Sequence, residues 1–321
     1  MLDWQVDDRP ATPYTRCYVA VMWLLRDKKA FEGTTHTLDQ AMELQAKGDR
    51  PPTRWTRIAR LVSSERRGDI EVWRVRPRPW LPGHVAPARA RVLYLHGGGF
   101  VHPLTADYWR LVRALSLAPA EVLVPAYPLA PLHTVDDVLP RLVELAMDLT
   151  QERPELPLVI MGDSAGGALS LAIAEQLRER GARMPAGLVC LSPWLDVTLG
   201  DEKVAGLEST DPMLAESGLR AAGRLWAGRR SPLDPIVSPS EADLENLPDI
   251  DVFIGDHDIL RPAVSAWADR ARRSSTTRVT VHEVNAMFHV WMTRAVPEAR
   301  RTRRQLVRLV RERASAARLA H

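Results

Sequence analysis

The sequence predicts an α/β fold: an eight-stranded, mostly parallel sheet flanked by helices, with a helical cap. Three observations carry that prediction. From residue 91 onward, apolar runs of strand length alternate with segments of helix length, which implies right-handed crossovers and parallel strands. The runs at 91–95 and 158–161 are dense in Val, Leu and Ile, as strands covered on both faces must be. Residues 158–167 read as strand, tight turn and helix in immediate succession. With 321 residues, 45% of them apolar and 26% charged, the chain has the composition of a globular protein that buries a full core without staples.

Residues 1–55 show helical spacing without strand alternation. Tyr18, Val21, Met22 and Leu25 recur at three- and four-residue steps, and 38–46 forms a second helix that ends at Gly48. This segment is either an arm packed on the core or a cap over a pocket, and the two readings are compatible. Strands follow at 58–63 and 70–75, joined by a hairpin turn at 65–69, and the remainder of the chain, 56–321, is assigned to one domain. A Pro-rich link at 77–87 leads to the central strand 91–95. A helix at 107–117, a strand at 122–125 and a helix at 136–153 return the chain to the strand at 158–161. Beyond the helix at 168–180 and the strand at 187–191, residues 196–234 carry helical patches without strand signal, as an insertion above the sheet would. A strand at 251–254, a helix at 262–274, a strand at 278–284 and a C-terminal helix complete the chain. The strand at 278–284 is expected at the sheet edge, where strands can pair into dimers.

The chemistry centres on Gly162-Asp163-Ser164-Ala165-Gly166. A residue at so sharp a strand-to-helix turn sits in strained backbone, so its neighbours two positions away must lack colliding side chains. Ser164 would project its hydroxyl at the amino end of a helix, where N–H groups favour developing negative charge. Taken alone, the pattern also fits a turn without chemistry. Three consecutive glycines, Gly97, Gly98 and Gly99, follow the strand at 91–95 and offer backbone N–H groups for close approach to a substrate oxygen. A phosphate cradle is the rival reading, but no Gly-Lys-Ser/Thr follows and the G-x-G-x-x-G spacing is absent. An acidic pair, Asp256 and Asp258, lies on one later strand-end loop and His289 on another. Loops at the carboxyl ends of parallel strands share one edge of the sheet, so these groups can meet Ser164 there.

The order Ser, Asp, His is that of the α/β-hydrolases. Over most of residues 92–292 the chain resembles their hormone-sensitive-lipase-like branch, the bacterial family IV carboxylesterases. The resemblance rests on His96-Gly97-Gly98-Gly99, Tyr127-x-Leu129-Ala130-Pro131, Gly162-Asp163-Ser164-Ala165-Gly166-Gly167, Ser192-Pro193-Trp194, Asp211-Pro212-Met213-Leu214, Gly255-x-x-Asp258-x-Leu260 and Met287-Phe288-His289-Val290. It implies Ser164 as nucleophile, His289 as general base and Asp258 as the acid that orients the imidazole, with Asp256 the alternative acid. It implies an oxyanion hole of Gly98, Gly99 and Ala165 N–H groups, with His96 shaping that loop. His257 and His282 are assigned structural places. The implied substrates are short to medium acyl esters, with amides or lactones as alternatives and a non-catalytic binding role as the outsider. No metal or organic cofactor is implied.

Several positions depart from the family pattern. Pro128 stands where an Arg is usual, so the brace that this Arg gives the oxyanion loop must be built differently. Residues 132–135 and 101–103 differ as well, and Ala286 replaces the usual Gly before Met287. Trp23, Trp109, Trp194, Trp226 and Phe100 are candidates for lining an apolar site.

Lys plus Arg number 43 against 40 for Asp plus Glu, and a net charge of +3 is too small to point to a polyanion. The basic run at 294–313 is interleaved with Leu306, Val307, Leu309 and Val310 and reads as a solvated helix face, not as a nucleic-acid site. Cys17 and Cys190, far apart in sequence, read as structural thiols rather than a disulfide. No leader or membrane span is evident, so a cytoplasmic monomer or homodimer with a small-molecule ester substrate is expected.

Overall fold

The computed structural model describes residues 1–78 and 88–319. In chain order the elements are β1 (Leu2–Asp7), α1 (Pro13–Leu25), α2 (Thr34–Lys47), α3 (Arg54–Ala59), β2 (Arg60–Arg67) and β3 (Ile70–Pro77). Then come β4 (Ala90–Leu95), α4 (Tyr108–Leu115), β5 (Ala120–Ala126), α5 (Val135–Glu152), β6 (Leu158–Asp163), α6 (Ala165–Glu179) and β7 (Gly187–Leu191). The chain continues through α7 (Lys203–Glu208), α8 (Glu216–Ala227), β8 (Ile250–Gly255), α9 (Arg261–Ala271), β9 (Val279–Val284) and α10 (Pro297–Leu319). The Pro-rich link expected at 77–87 lies outside the described residues, apart from Pro77 and Arg78.

One nine-stranded sheet runs in the order β1-β9-β8-β7-β6-β4-β5-β3-β2. Only β3, against β5 and β2, pairs antiparallel. The expected count of eight is corrected by β1, which pairs parallel to β9 from Leu2 opposite Val279 to Asp7 opposite Val284. The N-terminal segment is therefore not wholly helical. The same strand corrects the expected edge: β9 lies between β1 and β8, and the edges are β1 and β2. At the other side, Ile58 belongs to α3 and β2 begins only at Arg60.

Alternation along the central strands feeds two cores. Leu93 and Leu95 face α5, α6 and α9, whereas Val92 and Tyr94 face α4 and α10, and all four are fully buried. Each such aliphatic side chain contributes about 1.5–3 kcal/mol of burial, which is why the site can rest on a rigid sheet. Cys190 is buried and Cys17 lies exposed on α1, both free.

Over the carboxyl ends of the strands, α2 packs on α8, so the N-terminal helices and the 196–234 segment form one layer. Gly33 N–H donates to Ser217 Oγ at 2.9 Å, and Lys28 donates to the Glu208 carbonyl. Gly218 permits this closeness, because a Cβ there would lie 2.2 Å from the Phe31 carbonyl oxygen and 2.4 Å from Thr37 Oγ1.

Candidate active site

Ser164 stands between the end of β6 and the start of α6 with φ 52° and ψ −119°, backbone that costs a non-glycine residue about 1–3 kcal/mol. Its surroundings hold it there. Ser164 N–H donates to the Leu191 carbonyl at 2.8 Å, and its own carbonyl accepts from Gly167, Ala168 and Trp194 N–H at 3.0, 3.2 and 3.0 Å. The flanking glycines are required by contact: a Cβ on Gly162 would meet Gly166 O at 2.1 Å, and one on Gly166 would meet Leu95 O at 2.1 Å.

Of the two candidate acids, Asp258 is the one that meets His289. Its Oδ2 lies 2.8 Å from His289 Nδ1, while its Oδ1 accepts from Leu260 N–H at 3.0 Å. Among the described residues Asp256 makes no such contact, and its Oδ1 is buried without a partner. The loop that carries His289 contains two residues at positive φ, Ala286 at 57° and Val290 at 45°, and Val290 N–H is held by Ser192 Oγ at 3.2 Å. Among the described residues no hydrogen bond joins the imidazole to Ser164 Oγ, although both side chains line one cavity of about 530 Å³. Such contacts commonly tighten only with substrate bound.

Three backbone N–H groups in this region, those of Gly98, Gly99 and Ala165, carry no acceptor among the described residues. Gly98 and Gly99 adopt φ 110° and 61°, and at Gly98 a Cβ would approach the His102 carbonyl oxygen to 2.7 Å. His96 is not in the cavity wall. It stacks on Tyr127 with ring centroids 4.3 Å apart and its Nδ1 lies 2.8 Å from Gly97 O. Burial holds its pKa below the usual histidine value.

Two further carboxylates sit under the site, and sequence reasoning gave neither a role. Asp163 accepts from Tyr94 OH and from Gly97 N–H at 3.1 Å, and burial pushes its pKa up to about 6. Asp211 accepts from Met213 and Leu214 N–H at 2.8 and 3.1 Å and from Ile259 N–H at 3.1 Å, tying the 196–234 segment to the Asp258 loop. Burial first, then the charge of Asp258, raises its pKa to about 7. Both lay in motifs recognised from sequence, but their acceptor work for backbone N–H groups leaves no sequence signal.

The aromatic residues expected to line the site do not. Phe100, Trp194 and Trp226 stack on one another within the core, and Trp109 packs edge-on against Trp73. Trp23 lies at the surface. Leu25, Phe31 and Leu214 supply apolar wall instead, from the helical layer above the sheet. His282 pairs with Asp251 at 3.3 Å, away from the cavity, and the His257 N–H donates to Met287 O at 3.1 Å. Among the described residues no group of three or more His, Cys, Asp or Glu is placed to hold a metal ion. Nor, among them, is any helix long and apolar enough to cross a membrane.

Residues 92–293 match the α/β-hydrolase fold family. The chain belongs to that family. Over 228 residues this α/β-hydrolase is 32% identical to an acetyl-hydrolase of Streptomyces hygroscopicus, a match that covers 68% of this chain and 75% of that protein. EstE5, in a crystal soaked with p-nitrophenyl butyrate, superposes with a TM-score of 0.81 at 26% identity, covering 95% of this chain and all of EstE5 (100%). A hormone-sensitive lipase from a metagenome library shares the fold at a TM-score of 0.79 and 22% identity, over 95% of this chain and 100% of its own. The motifs place this α/β-hydrolase in the hormone-sensitive-lipase-like branch. Where that branch usually has Arg, Pro128 leaves the neighbouring loops to be joined otherwise: Tyr127 OH donates to His96 O at 2.6 Å and Ala130 N–H to Phe100 O at 2.9 Å.

Proposed function

We propose that this carboxylic-ester hydrolase is a serine carboxylesterase for short to medium acyl esters, working through Ser164, His289 and Asp258. The observation that carries the reading is the single cavity that presents Ser164 beside an imidazole held by a buried carboxylate at 2.8 Å. His289 takes the Ser164 proton as the hydroxyl attacks the ester carbonyl, and Asp258 stabilises the imidazolium that forms. Charge developing on the carbonyl oxygen is met by the N–H groups of Gly98, Gly99 and Ala165, donors fixed in place before reaction begins. The alcohol leaves with the proton from His289, and water activated by the same imidazole then cleaves the acyl-enzyme. Every step draws on side chains, backbone and water.

Residues 13–47 and 196–234 act as the cap in this reading. They close the cavity with Leu25, Phe31 and Leu214, and about 530 Å³ admits a short or medium acyl chain with its alcohol. Rates on p-nitrophenyl acetate and butyrate, set against a matched p-nitroanilide, test the assignment. Ester turnover that falls by about a thousandfold or more in Ser164→Ala is expected. Turnover unchanged in that variant sinks the reading, and faster cleavage of the anilide moves the protein to the amidases.

A further inference from the structure

Gln45 lies in the last turn of α2, far from the site in sequence and half-buried. Its carboxamide Nε2 donates twice, to Val101 O at 2.7 Å and to Ala130 O at 2.8 Å. Both acceptors belong to loops at the carboxyl edge of the sheet.

The first of these bonds leads into the glycine loop. The Val101 carbonyl and the His102 N–H are two ends of one peptide unit, and His102 N–H donates to Gly98 O at 2.8 Å. The Gly98 carbonyl and the Gly99 N–H are in turn two ends of the next unit. In a trans peptide these ends point in opposite directions, so an acceptor pinned on one side aims the donor on the other. Gln45 thus stands two peptide units behind the free Gly99 N–H, in a head-to-tail chain whose members polarise one another.

The second bond supports the same unit from the side. Val101 N–H also donates to Gly98 O, at 3.1 Å, and the carbonyl on its own peptide, Phe100 O, accepts from Ala130 N–H at 2.9 Å. Gln45 holds the carbonyl of Ala130. The Ala130 N–H and carbonyl lie in successive peptides, so this bond fixes the Ala130 backbone beside the loop, and only the Val101 route runs head to tail to Gly99.

We infer that Gln45 is a positioning residue for the oxyanion hole: through Val101 it fixes the direction and strengthens the donor character of the Gly99 N–H, and through Ala130 it steadies the residue that bonds Phe100 O. The inference rests on the reading that Gly99 N–H binds the oxyanion. It takes the place of the brace that Pro128 cannot supply, and it makes the cap part of transition-state stabilisation rather than a cover alone.

Three variants separate donor chemistry from bulk. Gln45→Glu keeps shape but has no donor at neutral pH, Gln45→Met keeps length without polarity, and Gln45→Lys restores N–H donors toward both carbonyls. On p-nitrophenyl acetate, Gln45→Glu and Gln45→Met are expected to lower kcat about tenfold with KM within about twofold, and Gln45→Lys to recover most of the loss. Deleting an oxyanion donor outright costs about 10²–10³, so a residue acting through two peptides is set below that. Inhibition by phenylboronic acid, which forms a tetrahedral adduct with the nucleophile, should weaken in parallel with kcat. The Gly99 amide proton resonance should move upfield in Gln45→Met, a readout that needs no turnover. Melting temperatures confirm that each variant is assayed folded.

A Gln45→Glu enzyme with wild-type kcat, a loss confined to KM, or Gln45→Lys no better than Gln45→Met overturns the inference. Wild type and Ser164→Ala, run alongside, test the underlying reading separately: equal rates for those two sink the serine mechanism, whatever the Gln45 series shows in the Gly99 resonance.

Discussion

His289 is surrounded by three carboxylates, and its proton affinity is the balance of opposed effects. Burial lowers its pKa, while the charge and hydrogen bond of Asp258, followed by the charges of Asp211 and Asp163, raise it; the net is a shift upward from 6.5. In the proposed mechanism His289 must be neutral to accept the Ser164 proton, so a raised pKa removes active enzyme as pH falls. The acid limb of kcat/KM is therefore expected to have its midpoint above 6.5, and a pH profile on p-nitrophenyl acetate checks it; a midpoint below 6 is the contrary result. At this scale most of the candidate site is legible in the sequence. Ser164, Asp258 and His289 each lie in a patterned loop after a strand, and strand order brings such loops to one edge. Strand order alone leaves Asp256 and Asp258 open, because both sit on the same turn; the family spacing from Gly255 favours Asp258, and Asp258 is the one hydrogen-bonded to His289. Gln45 was invisible for a different reason. Its partners are backbone carbonyls, which every residue type carries.

Among the elements, the helices and inner strands follow their apolar periodicity closely, whereas β1 does not announce itself. Leu2, Trp4 and Val6 do alternate with Asp3, Gln5 and Asp7, but an edge strand buries little, and Val6 is 60% exposed. The helical spacing from Tyr18 to Leu25 dominates the reading of that segment. Trp4 anchors the strand through Nε1, which donates to Glu283 Oε2 at 2.8 Å, and Glu283 is itself paired with Arg261 at 2.9 Å. Trp4→Ala is expected to destabilise the fold by about 1–2 kcal/mol through lost packing and the lost bond. Urea unfolding measures it, with KM for p-nitrophenyl acetate expected to stay put because β1 lies outside the cavity wall.

At the level of the whole molecule, the helical layer over the sheet joins two segments far apart in sequence, and they meet at Gly218. Nothing in the sequence marks that glycine, since its requirement is the Phe31 carbonyl on another element. Gly218→Ala is expected to force α8 off the N-terminal helices, with a loss of about 1–3 kcal/mol. Because Phe31 also lines the cavity, KM for p-nitrophenyl butyrate should rise together with the fall in melting temperature. An unchanged melting temperature and KM would show that the two segments are not tightly joined there.

The pairing of β1 with β9 also bears on the order in which the sheet is assembled. Leu2 cannot find Val279 until the residues between them have been made, so β1 waits on β9. Pairings of such long sequence separation carry a large loop-closure cost and form late. Until then the His289-bearing end of the sheet has an open β9 edge, a template for unwanted association. The covering of that edge is thus a separate event from the building of the cavity, whose wall holds no residue of β1.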